Sequence, residues 1–145
     1  MEIEKQLEKK VQQGFVTCFH DDCPQHEHCL RWLGRGYADT TPLVMTCVSM
    51  VNPDIGGEAC PMYRPDRKVR FAYGFIGLLE QLPKKMGNDL MDRLIGECKR
   101  TYAYEHRNGK RPIPPQLQQK IISYLRNQGW EQPVDFDRYS EDYLW

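Results

Sequence analysis

The sequence predicts an α+β fold: a short sheet, a β-hairpin and about four helices. Three observations lead there. Helical periodicity is clearest in the C-terminal half, at residues 88–100 and 115–128. Strand-type alternation or continuous apolar runs occupy 15–19, 43–51 and part of 69–82. Asn108-Gly109 separates two short alternating segments with the residue pair that accepts positive φ at both central positions of a type I′ turn.

The chain has 145 residues, the length of one domain, and reads as a single domain over 1–145. Its cysteine-rich N-terminal half covers 14–65, and a helix, hairpin, helix and tail fill 86–145. Residues 2–13 carry Ile3, Leu7 and Val11 four apart, with Glu2 and Glu4 at the positive end of the dipole and Gly14 as a stop, so a short helix is expected. Residues 15–19 have strand composition, and Leu30 and Leu33 suggest a helical turn beginning at Pro24. The run LVMTCVSMV at 43–51 is apolar on both faces, which predicts a strand near the middle of the sheet.

Asn52, Pro53, Asp54, Gly56 and Gly57 form a loop that leads to Cys60. Residues 69–82 fit two patterns. Val69, Phe71, Tyr73 and Phe75 alternate as in a strand, while Phe71, Phe75, Leu78, Leu79 and Leu82 recur as in a helix, and Pro83 ends either one. Asn88 suits the cap of a helix with Leu90, Met91, Leu94, Ile95 and Cys98 on one face. The hairpin spans Tyr102 to Ile113, with Tyr104 facing Ile113. Pro114 and Pro115 open a helix bearing Leu117, Ile121, Tyr124 and Leu125, which Gly129 closes and Trp130 packs against. Phe136, Tyr139 and Tyr143 share helical spacing, so the tail is expected to dock as a short amphipathic helix.

Composition narrows the function classes. The chain is 40% hydrophobic and 28% charged with 11% aromatic residues, and its mean hydropathy is −0.70, which is ordinary globular usage. The formal net charge is zero, so attraction for nucleic acid or an anionic membrane must come from a local patch. The N-terminus MEIEKQLEKK lacks the apolar core of a signal peptide, and no apolar run is long enough to cross a bilayer. A cytoplasmic location is expected, with no membrane partner. Six cysteines in a reducing compartment are thiols or metal ligands before they are disulfides.

Cys18, Cys23 and Cys29 fall within twelve residues, and Cys60 supplies a fourth thiol. Structural zinc takes four soft or borderline ligands in a tetrahedron, commonly as two close pairs. The first gap, CxxxxC, has that spacing and the second does not. His20 is near enough to the first pair to serve as an additional ligand, whereas His26 and His28 sit among acids as surface histidines do. Cys23 and Cys60 each precede proline, which resembles iron–sulfur sites whose last ligand lies in a Cys-Pro pair. Zinc is the first expected cofactor and a 4Fe–4S cluster the second; the bland alternative is that the thiols are small buried apolar groups with no cofactor. Cys47 and Cys98 lie inside apolar segments and are expected in the core.

No GxGxxG, GxxxxGKS, HExxH or GxSxG motif occurs, so nucleotide binding, zincin chemistry and α/β-hydrolase chemistry have no support. A cysteine-dependent enzyme ranks third, because no nucleophile motif accompanies the thiols. Residues 99–111 carry a local charge of +4 and residues 131–145 one of −4. Arg100, Arg107, Lys110 and Arg111 could follow a phosphate backbone with Tyr102 and Tyr104 stacking on bases. The favoured alternative has the acidic aromatic tail cover that segment, leaving a protein as the better expected partner.

The stretches CxxxxCPxxxxCLR, CPMYRP, RNGKRPIPPQLQQKI and FDRYSEDYLW together resemble a small uncharacterised bacterial protein family, one carrying a domain-of-unknown-function label. The resemblance spans Cys18 to Trp145 and implies a bacterial cytosolic protein with Cys18, Cys23, Cys29 and Cys60 as its characteristic residues. It implies no activity, substrate or catalytic residue. The reading as a whole is a metal-stabilised binding or interaction module, with binding favoured over catalysis.

Overall fold

The computed structural model describes residues 2–145. Its backbone forms two compact units, one running to Lys68 and including Tyr143–Trp145, the other comprising Val69–Asp142. The α+β class holds: helices accompany a two-stranded antiparallel sheet.

The first unit begins with α1, Glu2–Gln12, whose predicted stripe buries Leu7 and half-buries Ile3 and Val11. Gly14 adopts φ +100° and ends the helix, with the Phe15 N–H returning to the Lys10 carbonyl at 2.9 Å. The expected helix from Pro24 is a single 3-10 turn at His26–His28 followed by α2, Leu30–Leu33, and a second 3-10 turn at Gly34–Tyr37. α1 lies close to that last turn. A Cβ on Gly34 would stand 3.1 Å from Val11 and 3.3 Å from Leu7, so a larger residue there would push those side chains by a few tenths of an ångström.

Two expected strands of this unit are absent as strands. Residues 15–19 and 43–51 meet at one isolated parallel bridge, Thr17 to Cys47, where the Val48 N–H donates to the Thr17 carbonyl at 2.8 Å. Of the apolar run 43–51 only Val48 is buried, while Leu43, Val44 and Val51 are at least 88% exposed. Apolarity on both faces predicts burial only where neighbouring strands exist, and a single bridge provides none. Cys47 is accordingly half-buried in a loop instead of sitting in a core strand.

In the second unit β1, Val69–Tyr73, leads through Gly74 into α3, Ile76–Gln81. The ambiguous segment is therefore strand first and helix second, and Gly74, at φ +77°, is where one becomes the other. α4 spans Lys84–Glu97, starting directly after Pro83 and four residues ahead of the expected Asn88 cap. Leu90 and Leu94 face the core, and Cys98 packs partly buried at the helix end with its thiol on the Leu94 carbonyl.

The hairpin at 102–113 does not form. Arg100–Arg107 is a helix, α5, and the alternation of Tyr102, Tyr104 and His106 masks Ala103 and His106 three apart on its buried face. Asn108 has φ −87° and Gly109 φ +78°, so the pair closes a helix instead of making a type I′ turn, and the Lys110 N–H returns to the Glu105 carbonyl at 2.9 Å. Ile113 pairs with Ala72 through two backbone hydrogen bonds of 3.0 and 2.7 Å. α6, Pro115–Asn127, has the predicted Pro115 start and Gly129 stop, with the Trp130 N–H on the Leu125 carbonyl at 3.0 Å.

The tail is a strand, not a helix. β2, Arg138–Asp142, pairs antiparallel with β1 from Tyr73 opposite Arg138 to Val69 opposite Asp142. Its strand partner is β1, and it also touches the 102–113 segment, where Arg138 donates to the Gly109 carbonyl at 3.3 Å and Phe136 shares the core with Ala103 and Ile113. Cross-strand stacking explains the preference: Arg70 lies 3.7 Å over Tyr139 and Arg138 4.0 Å over Tyr73. Phe136 is buried with Phe75, Leu78, Leu90, Ile113 and Leu125. Asp137 accepts from the Ile76 and Gly77 N–H groups, both at 3.0 Å, and so caps α3. A Cβ on Gly74 would approach the Asp137 carboxylate to 2.6 Å.

Asp137→Ala is expected to destabilise the protein by about 1 kcal/mol through loss of the cap, and Phe136→Ala by about 3–5 kcal/mol through the cavity left; urea melts of both against the wild type measure the difference. His106 is buried, and burial chiefly lowers its pKa from the usual 6.5, with the Arg111 charge adding to the fall and the Arg111 carbonyl and Glu105 opposing it. A group whose folded pKa is depressed stabilises the fold above its unfolded pKa and loses that contribution as pH falls through the folded one. Stability should thus decline below about pH 6.5, and the decline should be shallower in His106→Gln, as read from melts between pH 5 and 8.

Candidate functional site

The cysteines of the N-terminal half are placed by short backbone ties. The Thr17–Cys47 bridge fixes the backbone just ahead of Cys18, whose N–H donates to the Arg31 carbonyl at 2.9 Å. Cys23 opens the turn before the His26–His28 helix: its carbonyl accepts from the His26 backbone at 3.1 Å and from the ring Nδ1 at 2.6 Å. Cys29 is buried at an antiparallel bridge to Pro65, beside the 2.7 Å hydrogen bond from the Leu30 N–H to the Arg64 carbonyl. Cys60 follows the loop of Gly56 and Gly57, both at positive φ, and the Gln25 side chain donates to the Gly57 carbonyl, tying the Cys23 turn to the Cys60 loop.

Cys18, Cys23, Cys29 and Cys60 line one cavity of about 20 Å³, together with His20, His26 and Arg31. Trp32, Ile55, Met62 and Tyr63 complete its apolar wall. All six of the chain's cysteines are free thiols. Burial pushes the Cys18 thiol up; the backbone N–H of His20 opposes this, and negative charge on Cys29, Cys60 or Cys23 adds to the rise. Three sulfurs thus stand near enough to Cys18 for their charges to register on it.

The histidines divide by their hydrogen bonds. His20 Nε2 is 2.8 Å from the Ser49 carbonyl, an acceptor only, so that nitrogen carries the proton and Nδ1 keeps its lone pair. His26 Nδ1 likewise donates to Cys23, and its ring stacks edge-on against Trp32 at 4.3 Å. His28 is exposed, 3.1 Å from Asp66, and does not line the cavity. Among the described residues no three His, Cys, Asp or Glu side chains stand grouped as a metal's ligands.

Arg31 escaped notice in the sequence. It follows Cys29 by two residues inside CLRWL, and the signal available was a lone cation within an apolar helical turn. The residues singled out for nucleic acid lie elsewhere, on and after α5. Arg100 and Arg107 sit over the Tyr104 ring at 5.7 and 4.5 Å, and Arg111 over Tyr102 at 3.9 Å with Glu105 at 2.7 Å. Lys110 is exposed.

The model of DUF6078, a family of unknown function, matches residues 1–145. The chain belongs to that family. Neither a curated protein nor a solved structure matches it. No described helix is long and apolar enough to cross a membrane.

For this DUF6078 member the thiol geometry has a direct readout. Mild oxidation of the metal-free protein with diamide should form disulfides among Cys18, Cys23, Cys29 and Cys60 and leave Cys47 and Cys98 reduced. Peptide mapping that found Cys47 bridged to any of the four would contradict their grouping.

Proposed function

We propose that this protein is a zinc-stabilised binding or interaction module in which Cys18, Cys23, Cys29 and Cys60 hold one Zn²⁺, with His20 as the alternative fourth donor. One observation supports this reading above the others: four thiols from separate stretches of chain line a single cavity, and its lining contains no carboxylate. Soft thiolates favour zinc, or iron in clusters, over magnesium or calcium.

Ligand chemistry ranks zinc ahead of the cluster, since four thiolates, or three with the His20 ring, are common structural zinc sets, while the Cys-Pro pairs keep the cluster as the alternative. Four protein sulfurs about 2.3 Å from zinc close its coordination shell and leave no position for substrate, which favours binding over catalysis. Such an ion would join the Cys18–Cys29 stretch to the Cys60 loop and supply folding free energy directly. Six free thiols fit a reducing compartment, so the cytoplasm is the proposed location.

Protein purified without a chelating tag should carry one zinc per chain by elemental analysis and be colourless. Chelation should lower Tm, and Cys18→Ser or Cys60→Ser should abolish stoichiometric zinc; structural zinc in small peptides is worth roughly 10–16 kcal/mol of apparent binding free energy. A brown protein containing iron would replace zinc with the cluster. Metal-free protein whose Tm ignores zinc and chelator alike would remove the metal reading altogether.

A further inference from the structure

We propose that Arg31 is the fixed counter-charge of the thiolate site. The inference rests on the zinc reading and deepens it.

Arg31 is 7% exposed, and in the first unit it is the buried residue that carries a permanent charge. A guanidinium out of water needs either an anion or a full set of acceptors. Its hydrogen bonds go to carbonyls: Nε donates to Met62 and Nη1 to Val16, each at 2.9 Å, while the Phe15 ring covers it at 4.7 Å. Among the described residues no carboxylate forms an ion pair with it. The side chains of its cavity that become anionic on binding a metal are the thiols of Cys18, Cys23, Cys29 and Cys60.

Its surroundings are otherwise hostile to charge. Burial depresses the Arg31 pKa, the Arg64 charge depresses it further, and Cys29, Cys18 and Cys60 act the other way. Arg64 donates to the Pro61 and Tyr63 carbonyls, and its Nε is enclosed without a protein acceptor.

Four thiolates around Zn²⁺ would carry a net −2, and the buried Arg31 charge offsets part of it. The carbonyls of Val16 and Met62 belong to the chain beside Cys18 and Cys60, so the residue that supplies the charge is also held at a fixed place relative to those ligands.

The test measures zinc affinity by competition with a chelator and identifies the ligand set from the absorption spectrum of the cobalt-substituted protein. Wild type should show four sulfurs. Arg31→Met should weaken zinc by about 10- to 100-fold, the usual range for residues that support metal ligands, and Arg31→Lys, which keeps the charge but not the fork that holds both carbonyls, should lose distinctly less than Arg31→Met. In a Cys60→His background, whose site is less anionic, Arg31→Met should cost markedly less. Equal zinc affinity in wild type and Arg31→Met overturns the inference and leaves the zinc reading standing, whereas wild type that binds neither metal defeats the zinc reading itself. Should Arg31→Met not fold, Arg31→Lys and Arg31→Gln are compared instead: tighter zinc in the lysine variant supports the counter-charge, and equal affinity in the two overturns it.

Discussion

The first unit is organised around one buried guanidinium. Arg31 reaches the carbonyls of Val16 and Met62, while its own carbonyl accepts from Cys18 and its neighbour Leu30 donates to Arg64. These four bonds join three stretches, 16–18, 29–31 and 62–64, that have no sheet or long helix to hold them. Remove the planar fork and both carbonyls lose their donors together, because a lysine ammonium cannot span two acceptors in a fixed plane. The cysteines are neighbours of these bonds in sequence, so the convergence of their side chains on one cavity follows from the backbone ties.

The second unit depends on a different device, a positive-φ glycine with a carboxylate folded over it. Gly74 turns β1 into α3, its carbonyl accepts from the Asp137 N–H at 2.8 Å, and Asp137 in turn caps α3. The same residue therefore starts a helix and delivers β2 to β1. Phe136, one residue earlier, enters the core, which fixes the register of the strand that follows.

What the sequence disclosed depended on whether a signal was local. Helix stops at Gly14 and Gly129 and the start at Pro115 were legible, since caps act over one turn. Cys18, Cys23, Cys29 and Cys60 stood out by their loop positions and the two Cys-Pro pairs, and the cavity they share is the part of that reading on which the fold bears. The hairpin was not: Tyr102, Tyr104 and His106 alternate, yet Ala103 and His106 also lie three apart, and the helix wins because its terminus can use Gly109 as well as a turn could. The tail misled in the same way, since Phe136, Tyr139 and Tyr143 match helical spacing while the pairing of Arg138–Asp142 with β1, more than sixty residues away, calls for a strand. Arg31 was invisible because its meaning lies in what surrounds it.

The two units differ in how much apolar burial supports them. Among the described residues eleven buried hydrophobic side chains belong to the second unit, from Ala72 to Phe136, and four to the first: Leu7, Cys29, Leu30 and Val48. The first unit also leaves Leu43, Val44, Met50 and Val51 exposed. About seventy residues with so small a core fall where small folds ordinarily rely on disulfides, a metal or unusually tight packing. Free thiols exclude the first of these here, and long uncovered loops argue against the third. A cross-link through Cys18, Cys23, Cys29 and Cys60 would offset the shortfall where the chain is least able to meet it by packing, and would do so between stretches that backbone hydrogen bonds have already brought side by side.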